Sequence, residues 1–416
     1  MNAWFLLVAM AAATPTAPVV APWSEGLSNG ADLDVEVVTF GVGDEIAEWF
    51  GHAAIVVRDR RLHVERLYNY GEYEFDPALA LRYLQGHLTF HVAERPVDRT
   101  IALYIRKNRD VRVQTLDLTS SQKLRLATLL ADNVRPENRS YLYDHYSDNC
   151  TTRIRDAIDL VTDGSLSPLA SAPSATLREH TRRLTAVSPV VGTLIDALLN
   201  DEVDQPLTVW GSTFLPDEFE AFLGTVQFLG SDGTLHPLVA GNRVLHQAIR
   251  PPTPGPVSTM TFAILGLLAG AGILLLGRWR RRRLLALSAM AVGVIVGVPG
   301  TVLFVMATMT DHHVAWGNEN LLFGNPLTLT LLPLGLWWLW SQRRHDRRPS
   351  TRAVRALRVV SLLLGALGVL AVVVKVLPVA DQQNWRLLWL CVPPLVALAF
   401  AIRRTTTTTT MMTFEP

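Results

Sequence analysis

Residues 143–153 read Tyr-Asp-His-Tyr-Ser-Asp-Asn-Cys-Thr-Thr-Arg. Asp148 and Asn149 are helix-capping types, and the residues after Cys150 carry apolar side chains at Ile154, Ala157, Ile158 and Val161. That spacing predicts an amphipathic helix that starts at Cys150. The chain holds two cysteines, and the other, Cys391, falls inside a C-terminal apolar stretch. A thiol in the first turn of a helix meets unpaired backbone N–H groups and the positive end of the helix dipole, both of which favour the thiolate. Cys150 therefore reads either as a nucleophile or as a buried structural cysteine.

The rest of the chain places that thiol outside a membrane. The 416 residues carry a net charge of +1, which gives no electrostatic reason to expect nucleic acid as a partner. Apolar residues concentrate after Pro256, in five candidate spans at 257–277, 284–309, 327–340, 359–379 and 387–402. The third is short. Basic residues cluster at Arg278 to Arg283, at Arg343 to Arg358 and at Arg403 with Arg404. The positive-inside rule puts all three clusters in the cytoplasm. The loops at 310–326 and 380–386, and everything before Pro256, then face outward. Residues 1–20 hold a short apolar run followed by small residues, which reads as a secretory signal or, lacking a basic start, an uncleaved anchor. Exported proteins normally use cysteines in pairs, so a lone exported thiol is itself informative.

The expected organisation is an exported α+β domain at 31–250, a proline-rich linker at 251–256, an all-helical membrane domain at 257–402 and a cytoplasmic tail at 403–416. Within the exported part, residues 34–40 alternate as a half-buried strand does. Residues 52–58 and 62–70 read as a hairpin that turns at Asp59–Arg61. A short helix is expected at 76–86, a strand at 111–116, and a hydroxyl-capped helix after Leu118. Residues 174–250 read mostly as helices interrupted by Pro206 and Pro216.

A nucleophilic thiol needs a base. His52, the first residue of an apolar strand, is the best candidate, and His145 competes from five residues before Cys150. Its aromatic neighbours Tyr143 and Tyr146 make His145 read rather as a packed or surface histidine. In the hairpin, residues around Leu67 to Asn69 should face His52, while His63 would lie about 17 Å away at roughly 3.4 Å per residue. Asn69 is the candidate to orient the imidazole, and a one-residue change of register would present Tyr68 or Tyr70 instead.

These residues carry a resemblance. Phe50-Gly51-His52-Ala53-Ala54, Tyr68-Asn69-Tyr70-Gly71 and Tyr143-Asp144 through Asn149-Cys150-Thr151-Thr152 resemble the exported domain of the bacterial lyso-form lipoprotein N-acyltransferase family. The outward segment Asn318-Glu319-Asn320-Leu321-Leu322, then Asn325-Pro326-Leu327, is similar to that family's membrane part. More distantly, a strand histidine before Asn-Cys at a helix start resembles permuted NlpC-type papain-like folds, and lecithin:retinol acyltransferase. The resemblance implies Cys150 and His52 as a catalytic pair. Asn149, Tyr70, Asn318 and Asn320 stand beside them as candidate substrate contacts. It further implies acyl transfer from the diacylglyceryl group of a lipoprotein to that lipoprotein's N-terminal amine, through a thioester. No cofactor is required. Diacylated bacterial lipoproteins and membrane lipid are the implied partners, and the outer face of the bacterial inner membrane is the implied location.

Two other readings use the same residues. A cysteine peptidase or amidase acting on cell-wall peptide could employ the same pair, with water resolving the acyl-enzyme. A membrane-anchored binding or assembly protein would leave Cys150 buried and His52 structural. Asp311-His312-His313 raises a metal question, but adjacent residues rarely point at one ion and no ligand spacing accompanies them. That loop reads as a polar segment resting on the exported part, with Trp316 at the membrane interface.

Overall fold

The computed structural model describes residues 20–73, 82, 85–229, 234–342 and 351–411. The N-terminal segment, most of the expected helix at 76–86 and part of the second basic cluster lie outside the described residues. The described chain divides into two compact units, one within Met1–Ala175 and Pro206–Pro252, the other within Thr176–Gln205 and Thr253–Pro416.

The first unit is built on a seven-stranded antiparallel sheet. Its strands are β1 (Leu33–Phe40), β2 (His52–Asp59), β3 (Val64–Glu72), β4 (Thr89–Arg95), β5 (Val111–Leu116), β6 (Ser140–Leu142) and β7 (Val239–His246). Their order across the sheet is β7-β5-β1-β2-β3-β4-β6. The longer described helices of this unit are α1 (Val97–Arg106), α2 (Ser120–Asn133), α3 (Cys150–Val161) and, after the excursion at Thr176–Gln205, Pro216–Leu223. One face of β1 and β2, carrying Val35, Val37, Ala53, Ile55 and Val57, packs on Leu126, Ala127 and Leu130 of α2 and on Ile154, Ala157, Ile158 and Val161 of α3. The other face, with Val38, Phe40, Ala54 and Val56, packs on Ile101, Tyr104 and Ile105 of α1. Both faces of the central strands are therefore covered. This corrects the half-buried reading of 34–40, because Glu36 in the alternation is buried and ion-paired with Arg58 at 3.2 Å. Each fully buried aliphatic side chain in these layers contributes roughly 1.5–3 kcal/mol.

Local signals explain where the elements begin. Thr119 caps α2 in a reciprocal box with Gln122, and Asn149 caps α3 in one with Thr152. The hairpin of β2 and β3 pairs Asp59 with Val64 and Ile55 with Tyr68. Its turn is longer than expected and puts His63 at φ +54. Residues 174–250 depart from the helical reading: Gln227–Leu229 pairs with Leu235–Pro237, and β7 joins the main sheet beside β5. β7 contains Gly241 and Asn242, poor strand formers, and pairing across 120-odd residues holds it there. The domain also begins earlier than residue 31, since Trp23 is buried and donates its indole N–H to the Tyr68 hydroxyl at 3.0 Å.

Among the described residues, the second unit has four helices long and apolar enough to cross a membrane: Thr259–Arg278, Arg282–Met309, Arg352–Val376 and Trp385–Arg403. The third expected span, at 327–340, instead forms two shorter pieces, Pro326–Leu329 and Leu331–Ser341. The last helix continues through the threonine run to Met411, where a tail was expected. Residues 176–205 belong to this unit and not to the exported domain. Their helices, Leu177–Leu184 and Pro189–Leu198, are held by Arg178, whose guanidinium pairs with Asp196 at 2.7 Å and Asp204 at 2.6 Å.

Gly266, Gly270 and Gly277 allow Thr259–Arg278 to lie against the last helix. A Cβ at Gly266 would stand 1.9 Å from the Trp389 carbonyl oxygen, whereas one at Gly272 would meet nothing within 4 Å. Small residues set such close helix contacts where lipid offers no hydrophobic drive. Gly266→Ala is expected to lower the thermal unfolding midpoint of the detergent-solubilised full chain, with a cost of about 1–3 kcal/mol from overpacking. Gly272→Ala serves as the control and should leave the midpoint unchanged or slightly higher.

Candidate active site

The start of α3 is fixed by Asn149. Its Oδ1 accepts from the N–H groups of Thr151 at 2.8 Å and Thr152 at 3.0 Å, and the Thr152 hydroxyl accepts from the Asn149 N–H at 2.8 Å. Its Nδ2 donates to the carbonyls of His145 at 2.8 Å and Phe214 at 3.0 Å. Every polar atom of the Asn149 side chain is thereby used in holding the turn, so Asn149 acts on the site by positioning Cys150. The cap engages Thr151 and Thr152 and leaves the N–H of Cys150 itself without a partner among the described residues. The thiol is half-buried and unpaired.

His52 opens β2, and the β2–β3 ladder stops at Ile55 and Tyr68. Past that pair, the Asn69 side chain reaches His52, with Oδ1 to Nε2 at 2.6 Å. Asn69 Nδ2 donates to Glu72 at 2.8 Å, and Glu72 also accepts from Arg95 Nε at 2.7 Å. The carboxylate dictates which way the Asn69 amide faces, so its oxygen must meet the imidazole. Nε2 then carries the proton that Asn69 accepts, and the imidazole interacts electrostatically with the Cys150 thiol. The irregularity between Asn69 and Glu72 in the β3–β4 pairing brings this carboxylate to the same side as Asn69.

Electrostatics follow from this arrangement. Burial pushes the Cys150 thiol up, but the charge and hydrogen bond of His52, with the Ala53 N–H and the Thr151 hydroxyl, outweigh it and bring its pKa to about 7. Burial pulls the other way on His52, and the Cys150 charge, its hydrogen bond and Asn69 raise the imidazole above its ordinary value. The pair thus favours thiolate and imidazolium together. The imidazole is flanked by Phe40 and Tyr104, each stacked with ring centroids 6.0 Å away. Arg109, 3 % exposed, lies over the Tyr104 ring and donates to the Gly41 carbonyl at 2.7 Å.

Gly71, at φ +90, lies beside Cys150: a Cβ there would come within 3.7 Å of Cys150 Cβ and 3.9 Å of the Tyr141 hydroxyl. Among the described residues that buried hydroxyl has no hydrogen-bond partner. Burial and the Cys150 charge both raise the Tyr141 pKa, so it stays a donor. Arg153 covers the Tyr141 ring at 4.3 Å from its centroid.

His145 is placed differently. It packs edge-on to Phe50 and Tyr146, at 4.3 and 4.9 Å between ring centroids, and burial depresses its pKa to about 4. It is a neutral packing residue at pH 7. Tyr70 is buried in the core with its hydroxyl accepting from Asn133 at 2.8 Å, which removes it from direct substrate contact. Asn318 and Asn320 are buried in the second unit, both donating to the Ala197 carbonyl, at 3.3 and 3.0 Å. His313 pairs with Glu202 at 2.9 Å. Glu72, Arg95, Arg109 and Tyr141 escaped the sequence reading. Only Glu72, three residues from Asn69, offered a local signal, and it depended on an irregularity invisible in the sequence.

A half-buried cysteine at a helix start, faced by a histidine that an asparagine orients, defines a thiol–imidazole site on the α+β domain of a membrane protein. Residues 21–183 match the Lnb N-terminal periplasmic domain, and residues 253–348 match the Lnb transmembrane domain. The chain belongs to this Lnb-type, lipoprotein N-acyltransferase-like family, with a periplasmic domain followed by a membrane domain. No curated protein and no solved structure matches the chain.

The geometry sets an expectation for thiol reactivity. Alkylation of Cys150 by iodoacetamide should rise with pH about a midpoint of about 7, because only the thiolate reacts. His52→Ala removes the cation and hydrogen bond but not the burial, so the midpoint should move up and the rate at pH 7 fall roughly tenfold or more. His145→Ala should leave the profile in place. A pH profile that follows His145 and ignores His52 would reverse the assignment.

Proposed function

We propose that this protein is a membrane-anchored, cysteine-dependent acyltransferase. It moves an acyl chain from the sn-2 ester of a lipoprotein's diacylglyceryl cysteine to that cysteine's α-amine, giving the lyso form. The observation that carries this reading is the Cys150–His52–Asn69 arrangement, in which the thiol titrates near neutrality. Membership of the Lnb-type family supports the substrate class, and the basic loops support an inner-membrane location with the site on the periplasmic side.

The chemistry balances without a cofactor. The Cys150 thiolate adds to the ester carbonyl, and the tetrahedral oxyanion is met by the free Cys150 N–H and the Tyr141 hydroxyl. As the carbon–oxygen bond breaks, the glyceryl oxygen takes the proton from the His52 imidazolium. The lipoprotein amine then adds to the thioester, His52 accepts the amine proton, and the carbon–sulfur bond breaks to restore thiolate and imidazolium. Asn69 and Glu72 keep the imidazole in one tautomer through both halves. An ester and an amine become an alcohol and an amide.

The full chain in proteoliposomes, given a synthetic diacylated lipopeptide, tests this reading. Transfer leaves the mass unchanged, so tandem mass spectrometry must locate the acyl group on the amine. Cys150→Ser should abolish the product, and wild-type-like transfer by that variant would remove the proposal. Release of free fatty acid or of cleaved peptide, with no N-acyl product, would favour a hydrolase. Tyr141→Phe should slow acylation of Cys150 about 10²- to 10³-fold while leaving its alkylation unchanged, because alkylation develops no oxyanion. Equal effects on both reactions would make Tyr141 structural.

A further inference from the structure

The helix Pro189–Leu198 is short, apolar and not a span, yet it belongs to the same compact unit as the membrane helices. Between Arg183 and Asp201 the sequence holds a single ionisable residue, Asp196. That carboxylate is buried, paired with Arg178 at 2.7 Å and Arg182 at 2.9 Å. The outward surface of the segment therefore carries no charge. What it exposes is a stripe of Val187, Val190 and Leu194, which are 43, 73 and 44 % exposed. Val190 and Leu194, four residues apart, share one side of Pro189–Leu198, and Val187 stands just before that helix in the turn Thr185–Val187.

The contacts of this helix fix the side of the membrane it occupies. Ala197 packs into the core formed by the membrane helices, and its carbonyl accepts from Asn318 and Asn320. Asn200 donates its backbone N–H to Val314 at 2.6 Å and its amide to the carbonyls of His313 and Trp316, each at 3.0 Å. Residues 313–320 lie in a loop that the charge distribution turns outward. The helix also packs against Gly297–Met309, the outer half of the second span. That half exposes Val298, Val302, Val305 and Met309, the surface expected to meet lipid. The Val187–Leu194 stripe is continuous with it in chemistry, and Trp316 and Trp385 are exposed nearby in sequence to the outer ends of spans, where indole favours the interface.

We propose that Pro189–Leu198 is an interfacial helix embedded in the outer leaflet, with Val187, Val190 and Leu194 against phospholipid acyl chains. Such a helix sits about 5–10 Å below the headgroup boundary. The exported unit is consequently tied to the membrane unit at three chain crossings, after Ala175, before Pro206 and after Pro252. This inference does not depend on the acyl-transfer reading.

Nitroxide labels on the full chain in phosphatidylcholine–phosphatidylglycerol proteoliposomes test it. Val190→Cys and Leu194→Cys would each be placed in a Cys150→Ser, Cys391→Ala background, with Val302→Cys as the lipid-facing reference and Asp381→Cys as the aqueous one. Power saturation should give positions 190 and 194 more collisions with oxygen than with a nickel chelate, as at position 302 and opposite to 381. Nickel access equal to that at position 381 would place the helix in water and overturn the proposal. Exclusion of both quenchers together with spin–spin broadening would mean that a second copy of the chain covers the stripe, which also overturns it. Retained folding of each variant is checked by its thermal midpoint against the unlabelled background.

Discussion

The side chain of Asn149 is the constraint on which the site depends. One amide closes the first turn of α3 through two acceptor contacts and ties the preceding turn and the Phe214 segment through two donor contacts. With those four hydrogen bonds in place, Cys150 occupies the first helical position and its N–H is the donor left over. Replacement of a capping asparagine costs about 1 kcal/mol in general, but here the larger consequence would be positional. A thiol displaced by an ångström loses its alignment with a histidine on a different element.

Charge at the site is set by competition. Burial favours the neutral form of both the thiol and the imidazole, and each is drawn toward its charged form chiefly by the other, with the Ala53 N–H and Thr151 hydroxyl helping the thiol and Asn69 the imidazole. Removing either partner therefore does more than delete a group: it returns the survivor to the neutral form that burial favours. The chain His52–Asn69–Glu72–Arg95 ends in a solvent-accessible ion pair, so the orientation of the imidazole is anchored outside the buried pair. Glu72 has no direct path to the thiol and works through the amide it orients. His145 shows the contrast. Five residues from Cys150 and equally buried, it has aromatic neighbours in place of a charged partner and is held neutral.

Much of this was legible where a signal was local. The helix at Cys150, its buried face at Ile154, Ala157, Ile158 and Val161, the strand beginning at His52, and the Thr119 cap all follow from patterns within a few residues. Hairpin geometry points to Asn69 although the turn is longer than Asp59–Arg61, because its side chain reaches His52 beyond the last paired residues, Ile55 and Tyr68. The rest depended on distance. β4, β6 and β7 are short or poor in strand formers and owe their conformation to partners. Tyr141 and Arg109 lie on elements with nothing in their own sequence to point at Cys150.

The excursion at 176–205 was the least legible feature, and its chemistry explains why. Arg178 and Asp196 look like surface residues of an exported helix until their partners are known. In the fold they form a buried ion pair, and the same segment is bound by amides from two outward loops, Asn318 and Asn320 from one and Gln382 from the other, the last donating to Leu199 at 2.9 Å. Glu319 and Lys375 add a part-buried pair in the same unit. Buried pairs of this kind gain little net stability, since desolvation offsets attraction, but breaking one leaves an uncompensated charge. Their effect is to make one docking arrangement much better than its neighbours. A short apolar helix alone could slide along a lipid surface; fastened at its C-terminal end by directional hydrogen bonds, it holds a fixed depth and azimuth. The polar network supplies the register and the apolar stripe supplies the affinity for the bilayer.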